Sequence, residues 1–283
     1  MKIPTKNLIL TLFFILSTVC LIRLFRITLN IFSYSQHPPL LNTLMHQNTT
    51  LPDRIPHMSQ RFAKYRSSSE EEPLNHKQYH LISDVISHRA PCNLLIFGLK
   101  AQLLDISKLN KGGTTIFLED DAQKLRNRTL KTNAVQVYSV EYQDKASEAF
   151  ELLKHAREHP ECKPKARKLR ESQCKLALTN LPNEIYRRRW DVVVIDGPRG
   201  DQPEAPGRMR AIYTAGMLAR SGNSTDVFVH DTNHMIEKWY SREFLCQENL
   251  VSSKGNLWHF QGKGGLSSAS FCEGNASAMS RNS

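Results

Sequence analysis

A glycine and several polar residues follow four apolar segments of the sequence, directly where each segment ends. Short continuous apolar runs are typical of parallel strands that are buried on both faces. The carboxyl ends of parallel strands meet at one edge of a sheet, where open α/β sheets bind their ligands. We therefore expect these residues to share one site. They are Gly98, Glu119, Asp196, His230 and Asp231.

The spacing of Gly98 and Glu119 predicts a nucleoside-binding pair. Glu119 follows Gly98 by 21 residues, and an acid about 20 residues beyond the first glycine of such a unit can bind a ribose hydroxyl. S-adenosylmethionine and NAD both carry this ribose. The loop after Gly98 lacks the G-x-G-x-x-G pattern that cradles a pyrophosphate, which favours S-adenosylmethionine. The alternative is that Glu119 only ends a strand beside two solvated acids.

Asp196, Asp231 and Asn233 form a second candidate group, with the hard oxygen ligands that Mg²⁺ or Mn²⁺ prefers. A metal ion there would lower the pKa of a sugar hydroxyl and position it for methyl transfer. Alternatively Asp196 or His230 acts as a general base, so that Asp196, His230 and Asp231 are the candidate catalytic residues. The structural alternative is that Asp196 shapes the turn into Gly197 and that His230 packs in the core.

Strand-like and helix-like segments alternate through the middle of the chain. The predicted strands cover 93–97, 114–118, 134–140, 191–195 and 226–229, followed by a hairpin over 250–260. The predicted helices cover 74–88, 102–109, 144–157, 208–220 and 232–240. This alternation predicts an α/β fold with a mostly parallel sheet covered on both faces. The added C-terminal antiparallel hairpin favours a Rossmann-like methyltransferase fold, with a dinucleotide-binding dehydrogenase as the alternative.

The chain carries 38 Lys and Arg against 27 Asp and Glu, a net charge of +11. Such an excess points to an anionic partner: nucleic acid, a membrane surface or an acidic polymer. Residues 154–175 hold eight basic residues against three acidic ones, and without interleaved aromatic residues we do not expect nucleic acid. The alternative is a solvated loop. The candidate contacts to an acidic polysaccharide are Arg167, Lys168, Arg170, Arg199 and Arg208.

The N-terminal segment predicts a membrane anchor. Residues 8–22 carry no charge, and Arg23 and Arg26 follow them, so the span is long enough only if these arginines snorkel. No cleavage site follows, which favours an uncleaved signal-anchor over a removed signal peptide or a buried helix. Four glycosylation sequons and five cysteines beyond it favour a lumenal C-terminal part. We divide the chain into a cytoplasmic tail and anchor (1–32), a stem (33–73), a folded domain (74–262) and a disordered tail (263–283).

The cysteines suit an oxidising compartment, where a bridge between Cys162 and Cys174 would hold the basic loop. Cys92 and Cys246 would then remain within the domain, and Cys272 in the tail would be the odd one. Pairing cannot be deduced from sequence, and without a C-x-x-C motif we do not expect zinc.

Seven motifs, in this order, resemble the plant polysaccharide-biosynthesis family that contains the glucuronoxylan 4-O-methyltransferases and the irregular-xylem-fifteen proteins. They are Pro91–Leu99 (PCNLLIFGL), Gly113–Glu119 (GTTIFLE), Cys174–Leu178 (CKLAL), Asp191–Gly200 (DVVVIDGPRG), Glu204–Met209 (EAPGRM), Val227–Asp231 (VFVHD) and Glu243–Cys246 (EFLC). The resemblance covers roughly residues 74–261.

The resemblance implies a single-pass type II protein of the Golgi membrane that serves xylan synthesis, with a lumenal catalytic domain. Methyltransferases of this family move a methyl group from S-adenosylmethionine to O4 of glucuronic acid side chains, with assistance from a metal ion. The acidic polymer bound by the basic residues would then be glucuronoxylan.

The resemblance is divided between the two branches of the family. Lys100 stands where the methyltransferase branch has the second glycine of a Gly-x-Gly loop, and this loop looks like the irregular-xylem-fifteen branch. Glu204–Met209 and His230–Asn233 look like the methyltransferase branch. The alternatives are therefore a non-catalytic component that binds acidic polysaccharide or xylan synthase partners, and a methyltransferase of arabinogalactan glucuronic acid.

Overall fold

The computed structural model of the protein describes residues 72–126, 135–164, 169–264 and 270–272. All of them belong to one compact unit, Tyr65–Ser283. The predicted anchor, most of the predicted stem, and the candidate residues Arg167 and Lys168 lie outside the described residues. Among the helices that the structure describes, none has the length and apolar character needed to cross a membrane.

The core of the unit is a seven-stranded sheet in the order β3-β2-β1-β4-β5-β7-β6. Strands β1 to β5 pair in parallel, whereas β7 runs antiparallel to β5 and to β6. The sheet therefore confirms the predicted α/β methyltransferase fold with its C-terminal hairpin. The strands are β1 Asn93–Phe97, β2 Thr114–Glu119, β3 Val135–Ser139, β4 Val192–Ile195, β5 Ser224–Val229, β6 Leu250–Lys254 and β7 Leu257–Lys263.

Helices cover both faces of this sheet, which explains why its central strands are continuously apolar. Successive side chains of a strand point to opposite faces, so that Leu95 and Phe97 pack into one core cluster and Leu94 and Ile96 into the other. The helices are α1 His76–Arg89, α2 Ala101–Ser107, α3 Ala122–Arg126, α4 Ala149–Glu158, α5 Asn183–Arg187, α6 Met209–Ser221 and α7 Met235–Phe244. The short helices α3 and α5 were not among the predicted elements.

Helix α7 begins three residues later than the predicted start at Thr232. The N–H and hydroxyl groups of Thr232 both donate to the carbonyl oxygen of Asn256, each at 2.9 Å. Asn256 lies in the turn between β6 and β7, so this contact keeps the segment after β5 against the hairpin. Asp231 next to it has a φ of 61°, which is incompatible with a helix at that position.

Two disulfides tie peripheral segments to the core. Cys162 and Cys174 are bonded, which confirms the predicted bridge across the basic loop. Cys246 is bonded to Cys272, so the expectation that Cys272 would be odd is wrong. Phe271 beside it packs edge-on against Phe244. These contacts hold residues 270–272 of the predicted tail on the domain, and the buried Cys92 is the free cysteine among the described residues.

The turn after β1 brings two strands into backbone contact. Gly98 has a φ of +98°, and a Cβ atom there would lie 2.7 Å from the carbonyl oxygen of Asp196. Gly197 faces it, because a Cβ on Gly197 would lie 2.7 Å from the Cα of Gly98. The ends of β1 and β4 can approach so closely only where both residues lack side chains.

We expect Gly98→Ala to destabilise the domain by at least about 2 kcal/mol, because it adds a backbone clash to the strain of a positive φ. Gly112→Ala is the matched control: its φ is +76°, but the nearest atom to a new Cβ is 3.8 Å away, so only the strain of about 1 kcal/mol applies. Urea unfolding of both variants measures the difference. Equal losses would show that the contact between β1 and β4 is not tight.

Candidate functional site

The site lies where the strand order of the sheet reverses, between β1 and β4. The loop after β1 leads to one side of the sheet and the loop after β4 to the other, which opens a crevice at their carboxyl ends. The hydrogen-bond ladder continues one residue past the strands: Asp196 N–H donates to Phe97 O, and His230 N–H donates to Ile195 O, both at 3.0 Å. This continuation places Asp196 and His230 side by side at the edge of the crevice.

The Asp196 carboxylate is the centre of the site and is 1% exposed. Its Oδ1 atom accepts from Lys100 Nζ at 2.8 Å, from His230 Nδ1 at 2.9 Å and from Arg208 Nη2 at 3.4 Å. Burial alone would raise the pKa of this carboxyl, but the hydrogen bond from His230 and the two neighbouring cations lower it to about 2. Asp196 is therefore an anion at every physiological pH.

His230 is oriented by this carboxylate. A carboxylate only accepts hydrogen bonds, so in the neutral imidazole the Nδ1 atom that contacts Asp196 carries the proton and Nε2 is an acceptor. The Nε2 atom of His230 and the Oδ2 atom of Asp196 are both buried, and neither has a partner among the described residues. Buried polar atoms without partners are uncommon in folded proteins, so these two are candidates for contact with a bound molecule.

Arg208 joins the acidic residues into one cluster. It precedes α6, and its guanidinium donates to Asp231 Oδ2 at 2.7 Å and to the carbonyl oxygen of His230 at 2.8 Å. Burial would lower the pKa of this arginine, but Asp231, Asp196 and Glu237 raise it above its usual value. Arg208 stays charged and balances carboxylates that would be unfavourable in isolation.

The Asp231 carboxylate extends the cluster to the hairpin. Its Oδ1 atom accepts from Asn256 Nδ2 at 3.0 Å, and Asn256 in turn contacts Gln78 of α1. The positive φ of Asp231 turns its carboxylate back toward Arg208 and away from the start of α7. The ends of β4 and β5 and the hairpin turn are thereby connected through polar side chains.

Glu119 ends β2 and holds the loop after β1. Its Oε2 atom accepts from the N–H of Leu99 at 2.5 Å, and its Oε1 atom accepts from the N–H of Asp121 at 2.9 Å. The adjacent Asp120 has its pKa raised to about 6, by burial and by the charge of Glu119. Both oxygens of Glu119, the residue predicted to bind a ribose, therefore have backbone partners within the chain.

The structure brings together part of the predicted set. Asp196, His230 and Asp231 are in contact, and Gly98 lies against Asp196. Asn233 is exposed in the turn before α7, whereas the two carboxylates with which it was predicted to bind a metal ion are buried.

Of the described residues predicted to contact a polysaccharide, two are exposed and one is buried. Arg170 is exposed, and Arg199 is exposed and paired with Asp201 at 3.1 Å. Arg208, also predicted to contact the polysaccharide, has its guanidinium buried among three carboxylates.

Residues that sequence reasoning missed complete the site. Glu237 of α7 is buried 4.0 Å from Arg208, and burial raises the pKa of its carboxyl. Asn256 reaches the site from the hairpin turn. A single acid in a helix and an asparagine in a turn are ordinary surface residues by pattern, so the sequence held no signal for either.

The site residues lie within the part of the chain that matches a known protein family. The model of the IRX15/IRX15L/GXM family matches residues 77–260, which include every residue of the cluster. This chain belongs to the IRX15/IRX15L/GXM family. Glucuronoxylan 4-O-methyltransferase 1 of Arabidopsis thaliana is 38% identical to it over 253 residues, which are 88% of each chain.

Other relatives come from both branches of the family. Arabinogalactan O-methyltransferase 2 of Arabidopsis thaliana is 38% identical over 207 residues, 71% of each chain. Protein IRREGULAR XYLEM 15 of the same plant is 41% identical over 215 residues, 73% of this chain and 66% of that protein. Among solved structures, a methyltransferase-like protein of Silicibacter pomeroyi covers 75% of this chain and 95% of its own, with 16% identity and a TM-score of 0.39.

The donor set of this IRX15/IRX15L/GXM protein does not fit the predicted divalent metal ion. Ligand atoms of Asp196, His230 and Asp231 lie within 4.8 Å of one another, but the Arg208 guanidinium bridges the two carboxylates at 3.4 and 2.7 Å. A cation bound by both carboxylates would be placed against this guanidinium and repelled by it. The carboxylates are thus neutralised by the protein's own side chains.

We expect Arg208→Met to destabilise the domain by about 3–5 kcal/mol, because it leaves buried carboxylates without their counter-ion. Arg199→Met is the matched control, since it removes an exposed ion pair worth less than about 1 kcal/mol. Urea unfolding at pH 7 measures both. A loss for Arg208→Met no larger than that of the control would contradict the central role assigned to this guanidinium.

Proposed function

We propose that this protein is a methyltransferase that transfers a methyl group from S-adenosylmethionine to O4 of the glucuronic acid side chains of glucuronoxylan. The observation that carries the proposal is the pair of Asp196 and His230 at the crevice between β1 and β4, with Nε2 of His230 left as an acceptor. Membership of the IRX15/IRX15L/GXM family, with a glucuronoxylan 4-O-methyltransferase among the relatives, supports the choice of acceptor.

The residues present fit S-adenosylmethionine by the chemistry of their donor set. Glu119 ends the strand beside β1, the position of an acid that binds ribose hydroxyls. Each of its oxygens accepts one backbone N–H and keeps a second acceptor position for a hydroxyl. The partnerless Oδ2 atom of Asp196 is a buried acceptor suited to a cationic group. When bound, this cofactor supplies an electrophilic methyl group on a sulfonium sulfur.

His230 takes the role of general base in this proposal. As the sugar oxygen forms its bond to the methyl carbon and the carbon–sulfur bond breaks, the hydroxyl proton must leave the oxygen. Nε2 of His230 can accept it, and the Asp196 carboxylate stabilises the imidazolium that results, as an acid does for histidine in other dyads. Nε2 of His230 is buried, so the site must open before a sugar hydroxyl can reach it.

We also propose a place for the protein in the Golgi membrane, held through residues 1–32 with the domain in the lumen. The two disulfides of the domain support an oxidising compartment. The exposed Arg170, within the segment that the Cys162–Cys174 bridge closes, supports contact of this loop with the carboxylates of an acidic polysaccharide.

A second candidate is a non-catalytic component of xylan synthesis that binds the polymer or its synthases. The observation that favours it is the ion pair between Lys100 and Asp196, which fills the crevice with the chain's own ammonium group. Methylation of arabinogalactan remains a third candidate, supported by the 38% identity to an arabinogalactan O-methyltransferase.

The full-length chain should transfer labelled methyl groups from S-adenosylmethionine to glucuronoxylan oligosaccharides. We expect His230→Gln to lower kcat by about 100-fold to 10,000-fold, because the proton of the acceptor hydroxyl loses its base. His159→Gln, which changes an exposed histidine of the same type, should leave kcat unaltered. Arabinogalactan oligosaccharides in a parallel assay identify the acceptor, and absence of transfer by the folded wild-type chain to either polymer would reject the enzymatic proposal.

A further inference from the structure

The side chain of Lys100 crosses the crevice in which the proposed cofactor would bind. Lys100 lies two residues after Gly98 and is the N-cap residue of α2. Its Nζ atom reaches Asp196, directly after β4, at 2.8 Å. The side chain therefore extends from one wall of the crevice, formed after β1, to the other wall, formed after β4.

This ion pair is shielded from water. The side chain of Lys100 is 14% exposed and that of Asp196 is 1% exposed. Exposed ion pairs contribute little because water and salt screen them, but a shielded pair keeps more of its electrostatic attraction. A second cation bound at the partnerless Oδ2 of Asp196 would lie close to the Lys100 ammonium on Oδ1 and be repelled by it.

Lys100 is one of two cations that face the buried carboxylates of the site. The carboxylates of Asp196 and Asp231 face the cations of Lys100 and Arg208. Arg208 is fixed by two backbone carbonyls as well, those of Pro198 and His230, and cannot leave without exposing them. The Lys100 ammonium stands at the end of a flexible side chain that is 14% exposed, whereas the Arg208 side chain is 4% exposed, so Lys100 is the cation nearer to solvent.

The backbone around Lys100 has little freedom to make room in another way. Gly98 and Gly197 are in backbone contact, and the N–H of Leu99 is bound by Glu119. Side chains must therefore rotate before a ligand can enter. If the Lys100 ammonium moved away, an anionic carboxylate would be left at the crevice. S-adenosylmethionine carries a sulfonium and an α-ammonium group against one carboxylate, so it is a net cation.

We propose that Lys100 is an internal competitor for the cofactor: its ammonium group occupies the Asp196 carboxylate and weakens binding of S-adenosylmethionine until the side chain withdraws. The inference rests on the proposed function, since it assumes that this crevice is the cofactor site. Lys100 is a residue that sets cofactor affinity, and it takes no part in methyl transfer itself.

Calorimetric titration of the full-length chain with S-adenosylmethionine and with S-adenosylhomocysteine tests the inference. We expect Lys100→Ala to bind at least about tenfold more tightly than the wild type, the effect of removing a competing interaction of moderate strength. Lys100→Met, which removes the charge but keeps the length, should also gain affinity, whereas Lys100→Arg should stay near the wild type. Lys108→Met is the matched control, because Lys108 ends the same helix in an exposed pair with Asp105.

The outcomes separate the inference from the proposed function. Tighter binding by Lys100→Ala and Lys100→Met than by the wild type supports the inference. Binding by these variants with no binding by the wild type supports it too, and also favours the second candidate function. Equal or weaker binding by the variants beside measurable binding by the wild type overturns the inference and leaves the proposed function standing. Absence of binding by the wild type and by every folded variant overturns both. If Lys100→Ala does not fold, as judged by circular dichroism, the Met and Arg variants decide between the same outcomes.

Discussion

The arrangement of this site depends on one buried anion, the Asp196 carboxylate. A carboxylate removed from water is unfavourable unless cations and hydrogen-bond donors surround it. Asp196 has three such donors on one oxygen, and they come from the loop after β1, the end of β5 and the start of α6. Three separate segments of the chain are therefore held at one point because a single charge must be compensated there.

The same requirement explains the local backbone. Asp196 can be buried at the switch point only if β1 and β4 end close together, and the facing glycines at 98 and 197 permit that approach. The positive φ of Asp231 directs a second carboxylate to Arg208, and the hairpin turn supplies Asn256 to its other oxygen. The fold builds the site from strand ends and loops, while the strands themselves serve the two apolar cores.

The fold was largely predictable from sequence because its central strands are buried on both faces and are therefore continuous apolar runs. The residues at their ends followed from the same pattern, and Asp196, His230 and Asp231 do meet. What the sequence could not show was the partner of each charge. Arg208 was predicted to bind substrate, and its burial was not foreseen because arginine is mostly exposed in folded proteins. Asn233 was predicted to be a metal ligand because of its position beside Asp231. Only the three-dimensional path of the chain shows that α6 places the guanidinium between the carboxylates and that the turn at 232–234 leaves the asparagine outside.

A structure of the full-length chain with S-adenosylmethionine would show whether the Asp196 crevice is the cofactor site and whether Lys100 occupies it only when the cofactor is absent. We expect the nucleoside to bind at the carboxyl ends of β1 and β4, with its ribose at Glu119. We also expect Lys100 Nζ to lie much farther from Asp196 than the 2.8 Å seen here. A ligand bound elsewhere while the pair of Lys100 and Asp196 stays intact would contradict these expectations.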